Sequence, residues 1–290
     1  MTSLPTSPPP PPLPSLLDEI ERYYDAVPRS SALAEDFGAL TLFVRRASRG
    51  WSYYARPALG WAGPEVSVGD VDRVRARQRE VGAPESFEWV AETSPGLRAA
   101  VEASGLVVHE YPLMVLDAAA PVPDVPSAPP ASSVRILTLT DPALPSAVAV
   151  PHLAFAEPGT GVGTAGRAEL AEAVRVRSAD GSVERAVSRI HSGLTAYAAA
   201  VEDGFALCAG QHQPIGAVSE IVGVGTLPAA RRRGLALAVT AALVADARSR
   251  GVRTVFLSAG DQDVARIYAR LGFRPVGTAL IAEPAEPAEN

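Results

Sequence analysis

Three consecutive arginines, Arg231, Arg232 and Arg233, stand directly before Gly234, Leu235 and Ala236, where a long apolar run begins. A basic cluster is ordinarily a solvated loop. This one, however, lies between a strand-like stretch, "GAVSEIVGVGT", and an apolar helix expected over 234–250. A strand that turns through positive charge into a helix start makes an anion site, because the first N–H groups of a helix lack intrahelical partners and its dipole favours negative charge there. Gly234 has no Cβ to obstruct an approaching group, and Ala236 has only a methyl. The chemistry these residues suit is phosphate binding.

Composition narrows the partner. A net charge of −6 argues against a nucleic-acid binder, which would carry a basic stripe against phosphates. The 26 basic residues are all arginine, as a GC-rich coding sequence would give. The single cysteine, Cys208, excludes an internal disulfide and a cysteine-based zinc cluster, and it reads as a core residue between Leu207 and Ala209. No metal is expected. The N-terminal "MTSLPTSPPPPPLPS" has neither the basic nor the apolar region of a signal peptide, and no segment reaches the roughly 20 apolar residues of a membrane helix. The expectation is a cytoplasmic protein with no membrane or nucleic-acid partner.

At 290 residues, two domains are the natural division. A proline-rich tail (1–14), expected to be disordered, precedes a helix opened by Ser15 with Asp18 three residues on, a capping pair. A second proline-, alanine- and serine-rich segment separates an N-terminal α/β domain (15–118) from a C-terminal domain (134–290), with 119–133 as linker. In the first domain "ALTLFVRR", "WSYYARPAL", "ESFEWVAE" and "LVVHEYPLMVLD" read as strands, and "VGDVDRVRARQREVG" and "SPGLRAAVEASG" as helices. In the second, "VRILTLT", "LTAYAAAVED", "GFALCAGQ", "GAVSEIVGVGTL", "VRTVFLSA" and "FRPVGTALIA" read as strands; helices are expected within 141–157, over "RAELAEAVRV", over 234–250 and over "DVARIYARL". "GVGTAG" (161–166) satisfies the dinucleotide pattern but follows a helix instead of a strand, so it reads as a loop bordering a pocket.

Strict alternation along "SEIVGVGT" puts Glu220, Val222, Val224 and Thr226 on one face and Ile221, Gly223, Gly225 and Leu227 on the other. The glycines clear that second face for something lying close to the backbone, a ligand or a packed helix.

The pattern Arg231-x-x-Gly234-x-Ala236 resembles the acyl-CoA signature of the GNAT N-acetyltransferases, Q/R-x-x-G-x-G/A, and "DVARIYARLGFRPVG" is similar to the family's last helix and strand. The resemblance covers about 134–285. It implies an α/β (α+β) fold, a mixed and mostly antiparallel sheet with flanking helices, splayed between its fourth and fifth strands. It further implies acetyl-CoA as acyl donor, with its pyrophosphate on the amides of about Arg232 to Ala236, including Leu235, and Arg231, Arg232 and Arg233 adding charge. Pantetheine would run along Val222, Val224 and Thr226, and N–H groups of Val224 to Leu227 would hold the acetyl oxygen. The first domain, whose closing strand, helix and strand echo the end of the second, is read either as a degenerate GNAT-like domain walling the substrate pocket or as an unrelated α/β cap.

Acyl transfer to an amine needs a base for the amine, donors for the oxyanion and an acid for the departing thiolate. By the resemblance Tyr268 would be that acid; its place on a stripe with Val264, Ile267 and Leu271 is also that of an ordinary core tyrosine. Glu220 would be the base, or else a surface residue at a strand start. His191 and His212 read as loop or surface histidines. The function expected is an acetyl-CoA-dependent N-acetyltransferase acting on a small-molecule or peptide amine; another acyl donor, a non-catalytic acyl-CoA sensor or an interaction module are the alternatives, and a homodimer is left open.

Overall fold

A computed structural model describes residues 15–46, 53–117, 119–120 and 132–285. The expected tail (1–14) and most of the expected linker lie outside the described residues. The chain opens with α1 (Leu16–Arg29), and its start is fixed as the sequence indicates: Ser15 accepts from the Asp18 N–H while the Asp18 carboxylate accepts from the Ser15 N–H. There follow β1 (Ala32–Asp36), β2 (Leu40–Arg45), β3 (Ala55–Pro57), α2 (Val68–Glu80), β4 (Phe87–Val90), α3 (Leu97–Ala103) and β5 (Leu106–Leu116). The C-terminal part comprises β6 (Ser133–Ile136), α4 (Leu144–Ala156), α5 (Arg167–Ala179), α6 (Ser182–His191), β7 (Ala196–Glu202), β8 (Phe205–Ile215), β9 (Val218–Thr226), a 3-10 turn (Pro228–Ala230), α7 (Leu235–Ser249), β10 (Thr254–Ser258), α8 (Gln262–Ala269) and β11 (Arg274–Pro284).

Two elements were not anticipated. β1, "ALAED", is built of good helix formers and is a strand only because it pairs along β2. α6 is a short amphipathic helix of nearly three turns beyond α5, in a stretch whose serines and histidine blur its period.

All described strands form one sheet in the order β1-β2-β3-β4-β11-β5-β10-β9-β8-β7-β6. The order departs from chain order at its centre. β5, which closes the N-terminal part, pairs with β10, and β11, which closes the C-terminal part, pairs with β4. The two closing strands also pair with each other, antiparallel, from Arg274–Val115 to Pro284–Leu106. Each part therefore hands its last strand to the other. Either side of this exchange the arrangement repeats: β3 runs parallel to β4 and then, across the sheet, β9 parallel to β10, each pair joined by a helix (α2, α7) and followed by a second (α3, α8). The N-terminal part thus repeats, in smaller form, the arrangement of the C-terminal one on the other side of the β5–β11 pair.

Side-chain alternation gives this central sheet two distinct faces. Met114, Leu116, Val255 and Leu257 join the large C-terminal core, whereas Leu113, Val115 and Phe256 point the other way, onto Ile20 and Tyr23 of α1. Val90 of β4, Ala279 of β11 and Val218 of β9 share that second core. A helix at the start of the chain consequently rests on both parts at once, and full burial of Ile20 alone is worth about 1.5–3 kcal/mol. α7, apolar all round, packs on β6 to β9 and buries nearly its whole length; from the N-terminal part only Met114 and Leu116 of β5 are among the fully buried residues of this core.

Candidate active site

β9 and β10 pair only from Val218–Thr254 to Glu220–Phe256, after which β9 continues to Thr226 without β10 beside it. The sheet opens there, between the strands the sequence pointed to. A bulge sits at the opening: Gln211 faces Val222 but Ala209 faces Gly225, and Gly223 takes φ +64°, a conformation costly for a residue with a Cβ.

That extra residue corrects the expected alternation. Val224 is turned toward α7, where its Cγ2 and Leu243 Cδ1 crowd the space over Gly210, and the Thr226 hydroxyl lies against the buried Cys208 thiol at 3.3 Å. Gly225 instead faces α4, and a Cβ on it would come within 2.7 Å of the Pro151 Cα. Of the two readings of the glycines, a packed helix explains Gly225 and the bulge explains Gly223. The Leu227 N–H, expected among the oxyanion donors, is already given to Leu207 O at 2.8 Å.

Beyond the 3-10 turn, Arg232 (φ +66°) and Gly234 (φ +76°) lead the chain into α7, and no side chain caps the helix. Its first amides, Leu235 and Ala236 among them, are left without a side-chain acceptor, as an anion site requires. The three arginines divide their work. Arg231 donates to Gly161 O (3.2 Å), Ala154 O (2.8 Å) and Glu157 O (2.5 Å), and so buckles the 157–166 loop to the turn. The same loop is tied by Gly163 N–H to Pro228 O and by Ala229 N–H to Ala165 O. Arg233 pairs with Glu202 at 2.5 Å. Arg232 is exposed and makes no hydrogen bond or ion pair among the described residues, which leaves it as the free charge beside the turn. "GVGTAG" is a loop, as read.

Tyr268 lies on α8, 7% exposed, its ring edge-on to Phe273 with centroids 6.1 Å apart. Its hydroxyl has no hydrogen-bond partner among the described residues, and burial, with the nearby Cys208 adding to it, holds its pKa well above the ordinary phenol value. Burial likewise raises the Cys208 thiol to about 12, partly offset by Thr226. Tyr268 therefore stays protonated, on the same side of the sheet as Thr226 and Cys208.

Glu220 is held from the opposite side. Tyr24 of α1 donates to its Oε1 at 3.2 Å, and the Glu220 N–H donates to the Tyr23 hydroxyl, which in turn donates to Gln213 O at 2.7 Å. Ser258 Oγ lies 3.4 Å from the Tyr24 hydroxyl. The carboxylate keeps some contact with solvent, but close surroundings raise its pKa to about 8: desolvation is the main cause and the charge of Glu88 the second, with the Tyr24 bond acting the other way. Glu88 itself is raised to about 7 by burial, against the pull of Arg56. The surface reading of Glu220 does not hold.

The sequence reading missed Tyr23, Tyr24, Tyr54 and Glu88, whose electrostatics are coupled to Glu220 from the N-terminal part, and Arg56, which lies over the Tyr24 ring. The paired tyrosines of "ERYYD" were the one available signal, but α1 meets β9 only through the fold. His212, expected at the surface, is fully buried, its Nδ1 2.9 Å from Ser219 Oγ and its Nε2 2.8 Å from Asp246 Oδ2, where it braces β8, β9 and α7. His191 is exposed at the end of α6.

A mixed sheet that parts beside an uncapped helix start, with a glycine turn carrying free positive charge, defines the acyl-CoA N-acyltransferase fold. Residues 201–280 match the family model described as FR47-like protein. Among solved structures, the chain is similar to a GCN5-related N-acetyltransferase from Kribbella flavida (20% identity, TM-score 0.68, covering 94% of this chain and 96% of that one). It is also similar to a GCN5-related N-acetyltransferase from Sphaerobacter thermophilus (18%, TM-score 0.55, 93% and 86%) and to a tandem GNAT protein from the clavulanic acid biosynthesis pathway (17%, TM-score 0.53, 86% and 79%). No curated protein matches the sequence. Among the described residues no helix is long and apolar enough to cross a membrane, and no group of side chains is arranged to hold a metal ion.

Proposed function

We propose that the protein is an acetyl-CoA-dependent N-acetyltransferase acting on a primary amine, with the donor bound between β9 and β10 and its pyrophosphate on the amides from Arg232 to Ala236. The observation that carries this reading is the placement of Glu220 and Tyr268 on opposite sides of the same parting in the sheet, a raised carboxylate on the α1 side and a protonated, unengaged phenol on the α8 side. Glu220 accepts the ammonium proton, the amine nitrogen attacks the thioester carbonyl, and the C–S bond breaks as Tyr268 supplies a proton to the thiolate; the surplus proton of the newly acylated nitrogen then restores the phenol. The N-terminal part walls the acceptor side through α1, β3 and β4.

Release of free thiol from acetyl-CoA, followed across a panel of amines, tests the proposal. Amine-dependent release supports it. Thermal stabilisation by acetyl-CoA with no release for any amine would instead indicate a binding protein.

A further inference from the structure

Tyr24, the phenol that donates to Glu220 Oε1 at 3.2 Å, has a cation over its ring: the Arg56 guanidinium carbon lies 5.5 Å from the ring centroid. Arg56 belongs to β3 and is 1% exposed. Among the described residues its one acceptor is Glu21, which takes a hydrogen bond from its Nη2, and its buried Nε has none. The other Glu21 oxygen accepts from Thr93 Oγ1 at 2.6 Å, and that hydroxyl also lies 3.0 Å from Val90 O at the end of β4. Thr93, Glu21, Arg56, Tyr24 and Glu220 thus form one chain of contacts, which runs from the segment after β4 through α1 and β3 to β9.

The helix period explains how the chain is assembled. Glu21 and Tyr24 are three residues apart on α1 and share one face, so a cation that reaches Glu21 from β3 also meets the Tyr24 ring. Phe256 of β10 stands edge-on to the same ring, with centroids 5.4 Å apart. Stability does not account for the cation. A buried guanidinium with one acceptor and an idle Nε is costly, and an apolar side chain of similar length fills such a space without that cost. What the charge does alter is the phenol. A cation over an aromatic face draws on the ring's electrons, and in a buried network each bond polarises the next, so the Tyr24 O–H becomes a stronger donor to the carboxylate.

We infer that Arg56 is a positioning residue for the candidate base, which, held by Glu21, fixes the Tyr24 ring and strengthens the hydrogen bond that Tyr24 gives to Glu220. The role of Glu220 as base rests on the transferase reading; the effect of Arg56 on its ionisation does not. The other groups that bear on this corner are Glu88 of β4, Tyr23 of α1, Tyr54 just ahead of β3, Ser258 of β10 and, through Tyr23, Arg189 of α6. None of them is altered in the test.

The test removes both buried charges together, Glu21→Gln with Arg56→Gln, so that neither is left unpaired. In protein carrying carbon-13 at the tyrosine Cζ, the Tyr24 resonance, assigned by its loss in Tyr24→Phe, follows the titration of the carboxylate it bonds. Its midpoint should rise by about 0.2–0.5 pH unit in the paired variant, the size given by a 10–30% change in one charge-assisted hydrogen bond, and the acid limb of kcat/KM should rise with it. In a Tyr24→Phe background the same two substitutions should move the limb by less than about half as much, since the route through the phenol is gone. Glu88 also feels Arg56, and comparison of the two backgrounds takes that route out. Arg56→Lys, which keeps a cation beside Glu21, should fall between wild type and the paired variant. If the amide pair does not fold, Glu21→Leu with Arg56→Met, apolar side chains of similar length, reads the same shift. An unmoved midpoint in a folded paired variant, or an equal shift of the limb in both backgrounds, overturns the inference and leaves the transferase reading standing. A raised midpoint in a protein that releases no thiol with any amine overturns the transferase reading and leaves the role of Arg56 standing.

Discussion

Tyr24 and Glu220 are 196 residues apart in the chain and 3.2 Å apart in space, the phenol donating to the carboxylate. The bond joins the first helix to the opened edge of β9, so the proton affinity of the candidate base is set partly by a residue of the N-terminal part. Because the bond favours the ionised carboxylate, Tyr24→Phe should push Glu220 above its value of about 8. The acid limb of the pH profile of kcat/KM, expected near pH 8 in wild type, then moves to higher pH. An unmoved limb would separate Glu220 from the proton transfer.

Glu220→Gln should lower kcat by about 10²–10³ if the carboxylate is the base. It should also stabilise the fold in alkaline solution. The folded pKa of Glu220, about 8, lies above its ordinary value of 4.5, so the folded state favours the protonated form. That advantage is fully present below about pH 4.5 and is lost as pH rises through 8. Gln, neutral throughout, avoids the loss. Its Tm should match wild type at pH 5 and exceed it by several degrees at pH 9, measured by calorimetric melting.

Tyr268→Phe removes a hydroxyl that no described residue engages, so its stability cost should be under about 1 kcal/mol. Its effect should fall on kcat, lowered about 10- to 100-fold, with acetyl-CoA affinity nearly intact, as for a group acting mainly in the transition state. Wild-type turnover in a stopped assay would return Tyr268 to a packing role.

Arg231 and Arg232 are neighbours in sequence with opposite expectations. Arg231→Ala frees three carbonyls of the 154–161 segment and should lower Tm, at a cost of about 1–3 kcal/mol. Arg232→Ala should leave Tm unchanged and weaken acetyl-CoA binding, the more so at low ionic strength. Thermal melts with and without acetyl-CoA distinguish the two, and the reverse pattern would misplace the phosphate turn.

One acetyl-CoA should bind per chain. The N-terminal counterpart of α7 is α2, and its start is already occupied: Ser67 caps Asp70, whose carboxylate accepts from Ser67 N–H and Oγ and is kept ionised by those bonds. An anion there would meet both a filled cap and a negative charge. Titration calorimetry giving two sites would contradict this.

How far the sequence reached depended on how local each signal was. The Ser15 cap and the α7 start are set by residues a few positions apart, and they read correctly. The bulge at Gly223 did not, because a glycine that turns a strand and a glycine that admits a helix look alike until Pro151 is seen against Gly225. Glu220 was found through its place on β9, but Tyr24 and Glu88 act on it only through a sheet whose central strands pair out of chain order. Arg231 shows a further limit: a cation placed for phosphate and a cation placed for carbonyls share one sequence pattern.

The exchange of β5 and β11 bears on how this chain is made. β11 fills the gap between β4 and β5, two strands synthesised some 160 to 200 residues earlier. Until residues 274–284 have left the ribosome, β4 and β5 each present an open edge, and α1 has only part of its floor. The N-terminal part cannot finish folding first, as upstream domains generally do during translation. Pairing over so long a separation also carries a large loop-closure cost before any contact repays it, which slows the final step. The two parts of this sheet are therefore completed together, by the strand Arg274–Pro284.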